Sequence, residues 1–131
     1  FGWWWDKKMI KAIMVAVEPR YLPEYSNMLQ DEYVFAYHIT IENRGDQTVT
    51  LKKRYWRITD ALGRVEEVNG DGVVGESPTL APNDEFDYTS SARLHTPWGE
   101  MVGHYEFETI TGERFKVAIP QFILKSDVTI Q

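Results

Sequence analysis

Three groups of side chains in this chain have the types and spacing to do chemistry. The first is Gly70-Asp71-Gly72-Val73-Val74-Gly75, a G-x-G-x-x-G spacing. In dinucleotide-binding proteins that spacing works because it joins a strand to a helix whose N-terminus receives a pyrophosphate. Here Glu76-Ser77-Pro78 and Leu80-Ala81-Pro82 follow, with two prolines and no 3.6-residue apolar period, so no helix is there to supply a dipole. Asp71 and Glu76 also place negative charge where phosphate would sit. One use is left for an anion: successive backbone N–H groups could form a nest for phosphate or a nucleotide at Gly70, Gly72 and Gly75, with Arg54 or Arg57 as the counter-ion. The structural alternative is a connection between strands whose glycines take positive φ, and it is the simpler of the two.

The second group is Lys52, Lys53, Arg54 and Arg57, four of fourteen cationic residues within six positions. Alternation puts Arg54 on the side of Trp56 and Ile58, while Lys53 and Arg57 flank Tyr55 on the other. An Arg at the rim of an apolar face pairs with a carboxylate, stacks on a ring, or meets an anionic ligand. The third group is the three histidines, His38, His95 and His104. No two of them stand at i, i+2 on a strand or i, i+4 on a helix, so spacing gives no metal site. Asp84, Glu85 and Asp87 read as a solvated turn. Thr89-Ser90-Ser91 has His95 nearby in sequence but nothing resembling a nucleophile elbow. The residues therefore name no catalytic group and call for no cofactor. Aromatic content of 14% exceeds what one sandwich core demands. Trp98 in a Pro-Trp-Gly turn, without a strand partner, and Tyr55 are the candidates for an exposed partner surface.

The elements that must position these groups are strands. Ile13, Val15 and Val17 alternate with Ala12, Met14 and Ala16, a strand ended by Pro19 and Pro23. Tyr33, Phe35, Tyr37, Ile39 and Ile41 fill one face of the longest clean strand, which Asn43-Arg44-Gly45-Asp46 closes. Val49 to Asp60 follows, and Ala61-Leu62-Gly63-Arg64 turns it into Val65–Val68. Beyond the glycine run, Phe86, Tyr88 and Ser90 share a side, then Met101, Gly103, Tyr105 and Phe107. Thr111-Gly112 joins these to Phe115, Val117 and Ile119 as a hairpin. Glu24–Asp31 is the one stretch with room for a helical turn or two. Seven or more short strands with turns every 8 to 12 residues predict an all-β, antiparallel β-sandwich. Its core should hold Phe35, Tyr37, Ile39, Ile41, Trp56, Ile58, Tyr105, Phe107, Val117 and Ile119.

The order of blocks from Glu66 to Gly103 resembles the ApaG family of small bacterial proteins, whose domain recurs in eukaryotic F-box and DNA-polymerase-associated proteins. Arg54-Tyr55-Trp56-Arg57-Ile58-Thr59-Asp60 upstream, and Gly112-Glu113-Arg114-Phe115 with Ala118-Ile119-Pro120-Gln121-Phe122 downstream, complete a likeness running from about Met9 to Leu124. The resemblance implies an immunoglobulin or fibronectin-III-like sandwich acting as a non-catalytic binding module, with a protein partner. It also carries a genetic link to cobalt and magnesium handling that names no ligands. Trp98 departs from the family pattern, which is more often small and polar at that position.

A chain of 131 residues is long enough for one sandwich with a sizeable core. It contains no cysteine, which removes disulfides, thiolate metal sites and thiol catalysis together. Net charge of −6 argues against nucleic-acid binding, where a basic face supplies the affinity. No apolar run approaches the roughly 18 residues of a membrane span, and Phe1-Gly2-Trp3-Trp4-Trp5 has neither the basic start nor the small-residue cleavage site of a secretory signal. The expectation is a soluble, cytoplasmic protein, monomer or dimer. Residues 1–8 read as an added extension, and 9–131 as a single domain opening at Met9.

Overall fold

The computed structural model describes residues 12–126. The expected boundary at Met9 and the Trp3-Trp4-Trp5 run lie outside the described residues. Eight strands follow in chain order: β1 Ile13–Tyr21, β2 Tyr33–Asn43, β3 Val49–Asp60, β4 Val65–Asp71, β5 Thr79–Leu80, β6 Glu85–Leu94, β7 Trp98–Thr109 and β8 Arg114–Lys125. They form two antiparallel sheets, β1-β2-β6 and β4-β3-β7-β8, with the short β5 paired to the start of β3. Two 3-10 turns, Pro23–Tyr25 and Met28–Gln30, occupy the stretch read as a helical turn or two. No helix lies between Gly75 and Phe86. This is the two-sheet sandwich that the alternating runs predict.

Period-two alternation explains most of the core. Phe35, Ile39 and Ile41 on β2, Leu51 on β3, and Met101, Tyr105 and Phe107 on β7 are fully enclosed. Tyr37, Trp56 and Ile119 are buried too, while Ile58 and Val117 are only partly so. In place of an inter-sheet disulfide, three rings join the sheets. Tyr37 of β2 meets Trp56 of β3 at 5.5 Å and Phe122 of β8 at 5.8 Å, and Trp56 meets Phe122 edge-on at 5.8 Å.

Two strands run further than their prolines suggest. β1 continues through Pro19, which pairs with Tyr37, to Tyr21. A missing N–H is tolerated because β1 lies at the edge of its sheet. β8 carries Pro120 through an irregularity, where Pro120 and Gln121 stand between the pairs Gly103–Ile119 and Met101–Phe122. A second bulge, at Lys52, separates the pairs Leu51–Phe107 and Lys53–Glu106. That extra residue shifts the alternation by one, so Leu51 and Trp56 both face the core from one strand.

The turn after β2 is organised by Asn43, buried at 1% exposure. Its Nδ2 donates to the carbonyls of Gln47 (2.8 Å) and Leu80 (3.0 Å), and its Oδ1 accepts from Gly45 N–H at 2.9 Å. One amide thus ties the β2–β3 turn to β5.

Candidate functional site

The sandwich is closed on one side and open on the other. On the closed side β1 and β8 approach each other, with Pro19, Arg20 and Tyr21 opposite Ile123 and Lys125 over Phe35. On the open side β4 pairs only with β3, and β6 only with β2, among the described residues. A cleft runs between these two edges. Its middle section, about 300 Å³, lies between Trp56, Ile58 and Val68 on one wall and Ser90, Ala92 and Arg93 on the other. Toward the glycine run it narrows to about 120 Å³ beside Val73 and Tyr88, with Tyr37, Arg54, Trp56 and Ser90 common to both sections. At the other end about 160 Å³ lies near Arg64 and His95, sharing Ile58, Glu66 and Arg93.

Arg54 is the cation shared by the middle and narrow sections of this cleft. Its Nη1 donates to the carbonyls of Asp71 and Gly72, both at 3.0 Å. Neither partner is a carboxylate or a ring, the partners expected for a rim arginine. The reason is Gly70, which belongs to β4 and pairs with Arg54. A Cβ there would stand 2.6 Å from the guanidinium, so only glycine lets the group lie across the strand and reach the carbonyls beyond it. Among the described residues no carboxylate is ion-paired with Arg54 and its Nε and Nη2 have no partner.

The rest of the glycine run is a tight turn. Gly72 N–H donates to the Lys52 carbonyl at 2.9 Å, and Val73 and Glu76 exchange two backbone bonds of 2.8 Å around Val74-Gly75. Both turn residues have positive φ, 43° at Val74 and 81° at Gly75, the type I′ geometry of a two-residue hairpin. The N–H groups of Gly72, Val73 and Glu76 are therefore engaged by carbonyls. Val73, which carries no signal in the sequence, is fully buried beneath Arg54.

Beneath the cleft lie three phenols. Tyr88 and Tyr105 hydroxyls share a short hydrogen bond. Burial, then the neighbouring phenols, pushes the Tyr105 hydroxyl far above its ordinary value. Burial pushes Tyr88 up to about 12, a rise opposed by its bond to Tyr105 and by the Arg54 charge. Tyr37 is raised by burial, with Ser90 and Arg54 pulling the other way. All three stay protonated and neutral at ordinary pH, available to donate or accept.

Arg57 is not brought to this place. It sits exposed on the outer face of the same strand, in register with Glu67 and Val102. Tyr55, beside it, stacks on His104 at 5.1 Å and donates its hydroxyl to Glu67 at 2.7 Å. With Lys53, Asn69, Glu106 and Lys116 the pair borders an open basin of about 500 Å³. Trp98 is half exposed, but it does have a strand partner: it opens β7 and pairs with Lys125. It lies six residues along the strand from His104, roughly 20 Å at an extended rise, so Tyr55 and Trp98 do not form one patch.

The histidines stand apart. His38 bridges Thr89 (2.8 Å) and Asp87 (3.1 Å) on the outer face of the three-stranded sheet, while His95 bonds the Asp31 carbonyl at 3.2 Å in the β6–β7 turn. Among the described residues no three His, Asp or Glu side chains gather to hold a metal. Asp84 accepts Ala81 N–H at 2.9 Å and organises its turn.

Comparison with known proteins agrees with this architecture. The family profile of the ApaG domain matches residues 23–109. Protein ApaG of Parvibaculum lavamentivorans is 55% identical over 118 residues, covering 90% of this chain and 91% of that one. Protein ApaG of Acidithiobacillus ferrooxidans is 54% identical over 112 residues, covering 86% and 88%. The crystal structure of a Bordetella pertussis protein titled ApaA superposes with a TM-score of 0.86 at 45% identity, covering 90% of this chain and 96% of that one. The chain belongs to the ApaG family.

Proposed function

We propose that this ApaG domain is a non-catalytic binding module, that its partner is a protein, and that the partner engages the open side of the sandwich. The observation behind this reading is a continuous cleft flanked by two sheet edges that have no neighbour among the described residues. A free edge presents backbone donors and acceptors in a row and is a ready template for another chain. The cleft beside it supplies side-chain pockets. A photoreactive benzoyl-phenylalanine placed at Ala92, in the cleft wall, is expected to trap one discrete protein in the cell. The same probe at Thr40, on the outer face of β2, is expected to trap none. Equal adducts at both positions, or none at either, would count against the reading.

A phosphate or nucleotide at Gly70–Gly75 is the second reading. What favours it is the Arg54 guanidinium lying on Gly70 with Nε and Nη2 uncommitted among the described residues. Calorimetry with pyrophosphate tests it: a Kd below about 100 μM, lost in Arg54→Met, is the supporting result. No heat at millimolar pyrophosphate ends it.

A further inference from the structure

Resting on the protein-module reading, we infer that the occupant of the cleft is an extended peptide segment. It adds to the free edge of β6 over Thr89–Arg93 and sets an acidic side chain against Arg54.

The choice between the two edges follows from charge. β4 carries Glu66, Glu67 and Asp71, which would repel an acidic segment. β6 from Thr89 to Arg93 reads Thr-Ser-Ser-Ala-Arg, with no carboxylate. Its outward backbone groups are unmatched among the described residues, since its ladder runs to β2 alone. Arg54 and Arg93 both reach the middle section of the cleft, and neither is ion-paired among the described residues. In a chain of net charge −6, two such guanidiniums in one cleft are a local reversal of sign. A carboxylate entering there meets the uncommitted nitrogens of Arg54 and the hydroxyl of Ser90. That contact is charge-assisted, the stronger class of hydrogen bond.

The side-chain pattern follows from strand geometry. Successive residues of an added strand point alternately into and out of the cleft, so an acidic residue facing Arg54 has apolar neighbours two positions away. Those neighbours rest on Trp56 and Ile58.

The test uses the full chain and a phage-displayed library of random nonapeptides. Enriched sequences are expected to carry Asp or Glu with Val, Ile or an aromatic residue at i±2. Exchanging that Glu for Gln in the synthetic peptide is expected to weaken binding at least tenfold. Backbone amide shifts on titration are expected at 89–93. Arg54 also supports the turn at Gly72, so Arg54→Met is paired with Ser90→Glu, which puts a competing carboxylate in the cleft. Each variant is to keep the wild-type circular dichroism, and each is expected to lose the peptide. Enriched peptides that lie in the cleft without an acidic residue, or that shift β4 amides instead, overturn this inference while leaving the module reading standing. Failure of any peptide to enter the cleft overturns this inference, while the photocrosslink at Ala92 decides the module reading separately.

Discussion

Val74 holds a conformation that β-branched residues avoid. Its φ of 43° places it in the left-handed region, where the Cβ crowds the following carbonyl at roughly 1–2 kcal/mol. The type I′ turn around it favours Asn-Gly, and Gly75 already supplies the second residue. Val74 is half exposed, so little burial is lost on replacement. Val74→Asn is expected to stabilise the chain by about 0.5–1 kcal/mol in urea unfolding; a loss of stability would show that the Val side chain supports the loop. Asn43 is the opposite case, a buried polar group with three partners. Asn43→Asp keeps the acceptor for Gly45 but removes both donors and sets a carboxylate against two carbonyls. The expected cost is about 3 kcal/mol or more, and Asn43→Ala about 2–3. Equal costs for the two would mean that the donors contribute nothing.

At the scale of elements, β3 and β7 form the longest ladder and pack most closely where Gly103 crosses β3. A Cβ on Gly103 would lie 2.2 Å from the Tyr55 carbonyl and 2.8 Å from the Trp56 ring. Neither neighbour is a free side-chain end, so the strands themselves must separate. Gly103→Ala is expected to cost about 2–3 kcal/mol, visible as a lower urea midpoint. Gly112, in the β7–β8 turn, meets nothing within 4 Å, but its φ of +89° strains a side chain. Gly112→Asn, which tolerates that φ, should cost under about 1 kcal/mol. A reversal of that order would mean that turn geometry, not strand packing, limits this hairpin.

At the scale of the whole molecule, the phenols of Tyr37, Tyr88 and Tyr105 hold the two sheets together while protonated. Their folded-state affinity for the proton is raised above the ordinary value of 10.0, Tyr88 to about 12. Above about pH 10 the unfolded chain releases these protons and the folded one keeps them, so folding loses stability as pH rises. Each such group contributes a slope of up to about 1.4 kcal/mol per pH unit. Guanidinium unfolding at pH 8, 10 and 11.5 is expected to give a flat region and then a fall, with a shallower fall in Tyr88→Phe. Stability that stays level to pH 11.5 would mean that these hydroxyls are solvated.

What the sequence determined alone was the fold class. Alternation over Phe35, Tyr37, Ile39 and Ile41 permits only a half-buried strand, and prolines after Gly75 forbid the helix of a dinucleotide site. These are local facts, because backbone sterics and side-chain period act within a few residues. Three things depended on the tertiary structure. The bulge at Lys52 resets which side of β3 is inward, and no local period announces an inserted residue. Pro19 is compatible with a strand only because β1 turned out to be an edge. The partners of Arg54 are the backbone carbonyls of Asp71 and Gly72, seventeen and eighteen residues further along the chain and reached over Gly70. The cleft itself has no sequence signature, because it exists where β4 and β6, twenty residues apart at their starts, fail to meet. Which edges close and which stay open is decided by how two sheets stack, and stacking is a property of the whole chain.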